Sequence, residues 1–389
     1  TPLCQTHISP AQLNEMEPYY PLRAMICGEC LLVQLDEYVA PDDIFTEYAY
    51  FSSYSDSWLE HAAAYCDMIA ERRGLGPDNL VVELASNDGY LLKNFVAAGI
   101  PCLGVEPAAN VADVARETGV RTVSEFCGAV VAGQIRAEHG AADLSVGTSV
   151  LAHVPELNDF VAGIGKLLAP SGAVTMEFPH LLRLMDENQF DTIYHEHFSY
   201  FSFLTVREVF RRHGMTIFDV EQLPTHGGSL RIYAAHEGQK DVLDSVSQLL
   251  DIELQAGLDS LEGYSDFQPR VDAVKRDLLA FLIEAKRSGK TVVGYGAPGK
   301  GNTLLNYCGI GRDFLDYTVD RNPYKQGKYT PGSRIPIVSP ERIAETRPDY
   351  VLILPWNLRD EIVTSNAYVF EWGGRFVVPI PGLQVIDPA

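Results

Sequence analysis

Twice along this chain a short apolar run of strand length ends in a turn of small residues and passes straight into a helical pattern. The two places are VVELASNDGYLL at 81–92 and TVVGYGAPGKGNTLLN at 291–306. Each opens a series in which strand and helix signals alternate, and such a series predicts a mostly parallel sheet covered by helices. After the first run come LGVEP (103–107), the helical VADVARETGV, ADLSVGTSV (142–150), the helical LNDFVAGIGKLLAP and GAVTMEF (172–178). A helical LTVREVFRRHG then leads to TIFDVEQL and SLRIYAA, two β-rich runs joined by a glycine-containing loop, which predict an antiparallel hairpin at the edge of that sheet. Residues 238–290 are helical in period, and YTVD (317–320), YVLIL (350–354) and FVVPI (376–380) continue the second series. The organisation expected is a small module over 1–56, an α/β domain over 57–236, and a second α/β domain over 237–389 that includes a helical connector.

The charge balance narrows the partners. With 30 Lys and Arg against 52 Asp and Glu the net charge is −22, and the basic residues form no stripe, which argues against nucleic acid. It does not argue against a small anion, because backbone N–H groups and a few placed cations hold a diphosphate locally. The longest apolar runs, such as Tyr350 to Trp356, are far below the roughly 18 residues of a membrane helix. No charged and apolar leader precedes Thr1, and seven scattered cysteines do not read as a disulfide framework, so a cytoplasmic setting is expected.

Seven places carry chemistry. In VVELASNDGYLL, Glu83 precedes a turn (Ala85, Asn87, Asp88, Gly89) whose small residues let a ligand approach the backbone; the glycines of GxGxxG are missing, so a dinucleotide fits poorly. Glu106, followed by Pro107, ends the next strand, where a carboxylate can accept from both hydroxyls of a ribose. YHEHF at 194–198 reads as a general acid/base cluster or as a structural one; the i, i+2 spacing of His195 and His197 is weak for a metal, and HExxH is absent. His153 follows the strand at 142–150, and THGGSLR offers His226 and Arg231 to a polar ligand or simply joins two edge strands. GYGAPGKGNT, with Tyr295, Lys300 and Asn302, presents backbone N–H groups as a phosphate site does, though its glycines are not spaced as in a Walker loop. Asp320 and Asn322 of DRNP, then Lys325, follow the next strand; a purely structural second lobe is the alternative.

The order of these motifs, together with CxxC before LLVQL, EYAYFSSYSDSW, EPAANVA, FDTIYHEHFSYFS and DRNPYKQGKYTPG, closely resembles the deoxysugar C-methyltransferases of antibiotic pathways, such as those acting at C3 of dTDP-4-keto sugars. The resemblance spans nearly the whole chain. It implies a class I methyltransferase (Rossmann-like) domain that binds S-adenosylmethionine, flanked by a small N-terminal zinc-type module and a C-terminal Rossmann-like α/β domain that holds the nucleotide-sugar. It implies that Glu83, Ala85, Asn87, Asp88, Gly89, Glu106 and Pro107 hold the cofactor. His197 would be the general base with Tyr194 and Glu196 as companions, His153 would lie beside the reacting carbon, and Tyr50 would reach in from the N-terminal module. His226, Arg231, Tyr295, Lys300, Asn302, Asp320, Asn322 and Lys325 would bind the substrate. Structural zinc is implied on Cys27 and Cys30, yet the family module uses two cysteine pairs, and here Cys4 and His7 stand upstream in a different spacing.

The chemistry expected is removal of the proton alpha to a C4 ketone by His197, with His153 or Tyr194 donating to the enolate oxygen, and attack of the carbon on the cofactor's methyl without a catalytic metal. C3 is favoured over C5, and a monomer or small homo-oligomer is expected. The competing readings are an O- or N-methyltransferase on a small metabolite or sugar and, more distantly, a binding module built on the CxxC.

Overall fold

A computed structural model describes residues 1–40, 52–54 and 56–388. They form two compact units: the first is Met25–Leu181 with Glu196–Leu261, the second Thr1–Ala24 with Leu182–His195 and Glu262–Ala389.

In the first unit, β1 (Ala24–Ile26) and β2 (Val33–Leu35) flank the CxxC turn, and α1 (Asp56–Arg73) ends at Gly74 in the left-handed region (φ 63°). The alternation then runs β3 (Val81–Leu84), α2 (Leu92–Ala97), β4 (Cys102–Val105), α3 (Ala109–Glu117), β5 (Thr122–Val123), α4 (Ala129–His139), β6 (Ala142–Thr148), α5 (Leu157–Leu167) and β7 (Leu168–Pro179). After β8 (Ser199–Tyr200), which pairs with β2, come α6 (Phe203–Arg212), the hairpin β9 (Met215–Leu223) and β10 (Ser229–His236), and α7 (Asp244–Gln255). The main sheet has the order β5-β4-β3-β6-β7-β10-β9, parallel through β7 and antiparallel in the hairpin. Val81, Val82 and Leu84 are buried to the last ångström because both faces of a central parallel strand are covered. Helix α5 turns Leu157, Phe160, Val161, Ile164 and Leu167 inward at helical spacing, and the strand after it starts at Leu168, four residues ahead of the expected GAVTMEF. Pro170 accounts for that early start, since the residue before a proline is driven out of the helical region.

The start of α6 shows what holds the later part of this unit. Ser202 Oγ accepts from the Thr205 N–H, and the buried Glu253 of α7 accepts from the N–H groups of Phe203 (2.6 Å) and Leu204 (2.8 Å), so three of the four open donors are satisfied. Glu253 also meets the ring of His180 at 2.8 Å, with neither side chain more than 1% exposed.

The second unit packs α8 (Phe267–Arg287) beside a sheet built from β11 (Val292–Tyr295), α9 (Gly299–Cys308), β12 (Thr318–Val319), β13 (Ile337–Val338), α10 (Glu341–Thr346), β14 (Tyr350–Ile353), α11 (Arg359–Ser365), β15 (Arg375–Val378) and β16 (Gln384–Ile386). Its order is β13-β12-β11-β14-β15-β16, all parallel except β16. Leu278 and Leu282 of α8 and the residues of β11, β14 and β15 form its core, and the N-terminal segment joins it through Ile8 and Tyr329, which exchange backbone hydrogen bonds of 3.0 and 2.8 Å. The strands absent from the sequence expectation, β5, β13 and β16, are two or three residues long and too short to carry a period. Among the described residues no helix is long and apolar enough to cross a membrane.

Removing Glu253 leaves two helix donors and the His180 ring without their buried partner, so Glu253→Ala is expected to lower the stability of the first unit by about 3 kcal/mol. A shift of the denaturant midpoint against the parent protein measures this; an unchanged midpoint would mean that solvent reaches the pair.

Candidate functional site

In the first unit the strand order reverses between β3 and β6, and the crevice at the carboxyl ends of those strands is where an open α/β sheet receives a ligand. The turn after β3 has Ala85 (φ 56°), Asn87 (φ 50°) and Gly89 (φ 78°) in the left-handed region. A Cβ on Gly89 would lie 2.9 Å from Val120 Cγ2, so glycine is required there, while the two non-glycine residues cost about 1–2 kcal/mol each. Glu106 holds the turn: its carboxylate accepts from the N–H groups of Asn87 and Ala108, both at 2.9 Å, and Pro107 between them has no N–H to compete. Asn87 Oδ1 accepts from Ser52 N–H (2.9 Å) and Asp88 Oδ2 from Ser53 N–H (3.1 Å), which draws the segment before α1 onto the turn. Burial raises the pKa of Glu106 against the pull of its two backbone donors.

Glu83 is different. It is wholly buried on β3, and among the described residues nothing bonds either carboxylate oxygen. Burial, with the nearby Glu106 and Asp88, pushes its carboxyl well above the usual range. A buried acceptor left open is costly, and a cationic ligand group would answer it.

Just past β6, Leu151–His153 make a single turn, and Phe198 N–H bonds the Ala152 carbonyl at 2.7 Å, which pins the end of the YHEHF motif to this strand. The rings of His153 and His197 meet edge to face with centroids 4.6 Å apart, and Tyr200 lies 6.0 Å beyond His197. Burial depresses His153 to about 4 against a hydrogen bond to the Glu196 backbone, so near neutral pH the ring is uncharged. Its one N–H then serves that carbonyl and its second nitrogen is an acceptor. Glu196 and His197 are buried in this unit, whereas Tyr194 and His195 belong to the second. Tyr194 lies against Gly299, and His195 Nε2 bonds the Pro21 carbonyl at 2.9 Å. Tyr50 lies outside the described residues.

Sequence reading missed a second polar group in the first unit. Glu177, at the end of β7, stands across from Thr148 on one side and Arg231 on the other. It accepts from Arg231 (2.8 Å) and Thr225 (2.9 Å) and meets His61 Nε2 at 3.0 Å. Arg231 also bonds Glu221 (3.2 Å) and covers the Tyr65 ring, so this expected ligand contact is engaged by protein carboxylates. His226 (φ 55°) rests on Trp58 with centroids 4.8 Å apart. An acidic residue inside the apolar run GAVTMEF was the available signal.

The second unit repeats the device of the first. Its order reverses between β11 and β14, and a Cβ on Gly296 (φ 87°) would fall 2.6 Å from Pro355 Cδ. Asp320, ending β12, accepts from Ala297 N–H and Asn322 N–H, both at 2.8 Å, the same two bonds that Glu106 makes. Asn322 in turn accepts from Tyr324 N–H, and Lys325 donates to the Ala297 carbonyl at 2.9 Å. Lys300 donates to Asn357 (2.8 Å) over the face of Trp356, and burial lowers its pKa. Asn302 is buried and accepts from Asn306 at 3.0 Å, while Tyr295 packs into the core. His7 is pushed down to about 4 by burial and by Lys325. Asp191 escaped the sequence reading: wholly buried, it accepts from Trp356 Nε1 at 2.8 Å, and burial raises it to about 7 against the charge of Lys300.

Cys27 and Cys30 sit in the turn between β1 and β2, closed by Cys27 N–H to Leu32 carbonyl and Leu31 N–H to Cys27 carbonyl, both 3.0 Å. Structural zinc takes four nitrogen or sulfur ligands. Among the described residues no three His, Cys, Asp or Glu gather in a metal-holding arrangement, so those described do not make up a zinc site.

Three family models match the chain: "Putative zinc binding domain" over residues 1–45, "Methyltransferase domain" over 58–220 and "C-methyltransferase C-terminal domain" over 224–381. The C-methyltransferase NovU of Streptomyces niveus is 40% identical over 372 residues, 95% of this chain and 89% of that protein. Among solved structures, magnesium protoporphyrin IX methyltransferase of Synechocystis with bound SAM aligns with a TM-score of 0.36 at 15% identity, covering 50% of this chain and 89% of that one. An S-adenosylmethionine-dependent methyltransferase of Clostridium acetobutylicum aligns with a TM-score of 0.38 at 10% identity, covering 46% and 92%.

Asp191 binds its proton more tightly folded than unfolded, so it should take stability away from the second unit as pH rises from about 4 to 7, on the order of 4 kcal/mol in all. Asp191→Asn is expected to flatten that slope in denaturation curves recorded across this range; an unaltered slope would show the carboxylate ionised throughout.

Proposed function

Since the chain belongs to the S-adenosylmethionine-dependent C-methyltransferase family, we propose that it methylates carbon in a nucleotide-linked 4-keto-deoxysugar, at C3, through an enolate formed by a histidine base. The observation that carries the reading is the pairing of His153 with His197 at the carboxyl end of β6, in the same unit as the turn after β3.

Glu83 fits the α-ammonium of the cofactor, being an acceptor-only group, buried and otherwise open among the described residues. Ala85 and Asn87 to Gly89 bring backbone close to it, and Glu106, with Pro107 beside it, has lone pairs left for the ribose hydroxyls. Bound there, S-adenosylmethionine supplies an electrophilic methyl group. His197 removes the proton alpha to the ketone, leaving the electron pair shared between carbon and oxygen. His153 is uncharged with its N–H on the Glu196 carbonyl, so it orients His197 and does not donate to the substrate oxygen. Glu196 is a companion of the base, and Tyr194 and Tyr50 are further candidates for that role. Residues 57–236 thus act as the methyl-transferring domain. Residues 237–389 hold the nucleotide: the turn at 296–299, Lys300, Asn302 and the Asp320 to Lys325 loop follow the carboxyl ends of strands β11 and β12, where an open α/β sheet takes a ligand.

The test is incubation with S-adenosylmethionine and a panel of dTDP-4-keto-6-deoxy sugars in deuterated water. Gain of one methyl on the carbon beside the ketone is expected, with deuterium entering that position in substrate not yet methylated, and His197→Asn should lower kcat by at least about 100-fold with cofactor affinity unchanged. A methyl on oxygen or nitrogen, with no exchange, would overturn the reading in favour of heteroatom transfer.

Because burial holds the Glu83 carboxyl above the usual range and an ammonium needs it ionised, affinity for S-adenosylmethionine should rise with pH below the carboxyl's raised pKa. Glu83→Gln is expected to weaken binding about tenfold, or about 1.4 kcal/mol, and to abolish the proton release seen by calorimetry in buffers of different ionisation enthalpy. Release unchanged in the variant would remove Glu83 from the cofactor site.

A further inference from the structure

One histidine of the first unit outside the 194–198 motif is built as an acid–base group. His61, in the second turn of α1, points Nε2 at both oxygens of Glu177, 3.0 Å from each. Glu177 lies below the usual carboxylate range: burial raises it, but the hydrogen bond from His61 and the charge of Arg231 outweigh burial. An ionised carboxylate only accepts, so Nε2 carries the proton. The 3.2 Å approach of Arg231 to that same nitrogen is then a meeting of two donors that share Glu177, and not a hydrogen bond between them.

The other nitrogen decides the chemistry. With Nε2–H committed, Nδ1 bears a lone pair in the neutral ring and a second N–H in the cation, and among the described residues nothing bonds it. The ring is held in place by Trp58, stacked at 5.1 Å and 22°, which itself rests between Tyr90 and His226. His61 lines a niche of about 10 Å³, room for one water or one carbonyl oxygen, with Trp58, Tyr90, Thr148 and Glu177. Tyr90 directly follows Gly89 of the turn, and Thr148 ends β6, so the pocket lies on the carboxyl edge of the sheet, next to the strand-order reversal. The charged and titratable groups around it are Glu177 on β7, Arg231 on β10, Glu221 on β9 behind Arg231, and His226 behind Trp58.

Resting on the C-methylation reading, we infer that His61, backed by Glu177, is a second acid–base residue of the reaction, the donor to the carbonyl oxygen of the acceptor. As the α C–H bond breaks, its proton goes to His197 and its electron pair moves onto the oxygen, which takes a hydrogen bond or the proton from His61 Nδ1. When the new C–C bond forms and the methyl leaves sulfur, the carbonyl is restored and Nδ1 recovers its proton. Glu177 stays ionised and positions the ring.

The experiment uses the full chain, with His61→Gln and Glu177→Gln compared to the parent. Nitrogen NMR of labelled histidine reads the His61 tautomer without any acceptor: Nε2–H is expected in the neutral ring, and Nδ1–H overturns the proposal. With the dTDP-4-keto-6-deoxy sugar panel, His61→Gln should lower kcat at least about 100-fold and slow deuterium exchange at the α carbon, with S-adenosylmethionine affinity within about threefold. Glu177→Gln should weaken the preference for Nε2–H in the same nitrogen spectra and lower kcat with KM little changed; a residue of merely structural weight would leave the tautomer in place. A kcat within threefold of the parent in His61→Gln, with folding intact by circular dichroism, overturns the inference. If His197→Asn keeps exchange while His61→Gln abolishes it, His61 is the base and the donor role falls. If the parent turns over no acceptor in the panel, the C-methylation reading fails by itself, and the tautomer with its dependence on Glu177 still decides whether His61 is built as an acid–base group.

Discussion

A carboxylate at the end of the second strand of each parallel sheet holds the turn that follows the first strand. Glu106 does so in one unit and Asp320 in the other, each gathering one N–H from the neighbouring turn and one from two residues downstream. Without them the turns would expose backbone donors in a buried crevice, where an unmade hydrogen bond costs about 1–3 kcal/mol. The left-handed residues of 85–89 and the close packing of Gly296 on Pro355 stand on those bonds. So does everything placed at the mouths of the two crevices.

Three other buried acids show how partners, and not burial alone, set the state of a group. Glu83 has no donor bonded to it among the described residues and is pushed well above the usual carboxylate range; Asp191 has one indole N–H and a lysine and sits near neutrality. Glu177, almost as enclosed, is ionised because Arg231, Thr225 and His61 all donate to it. The same logic separates the histidines: His153 is uncharged in its enclosed turn, while His61 faces a pocket with a carboxylate behind it. These differences suit a reaction that needs one group to take a proton and another to stabilise the oxygen left behind.

Much of the fold was legible. The runs at 81–84, 102–105, 292–295 and 350–353 announce themselves as buried strands, Gly74 as a helix end, and 215–236 as a hairpin, because each is a property of neighbouring residues. Glu83, Glu106, Asp320 and Lys300 were singled out since they lie in or after strands at places where such sheets bind ligands. His61 and Asp191 were not, for they carry no local pattern: His61 is 116 positions from Glu177, and Asp191 is 165 from Trp356. Nor does the motif at 194–198 announce that it divides between two units after His195.

The sequence by itself therefore determined two parallel α/β units, the turns at the ends of their first strands and the family whose motifs they carry, since period, small residues and spacing act over a few positions. Only the tertiary structure decided which acids are pushed up or down, that Arg231 is engaged by Glu177 and Glu221, and that His61 meets Glu177 beside a pocket. Those outcomes depend on burial and on donors brought together from distant parts of the chain, and no window of sequence contains both partners.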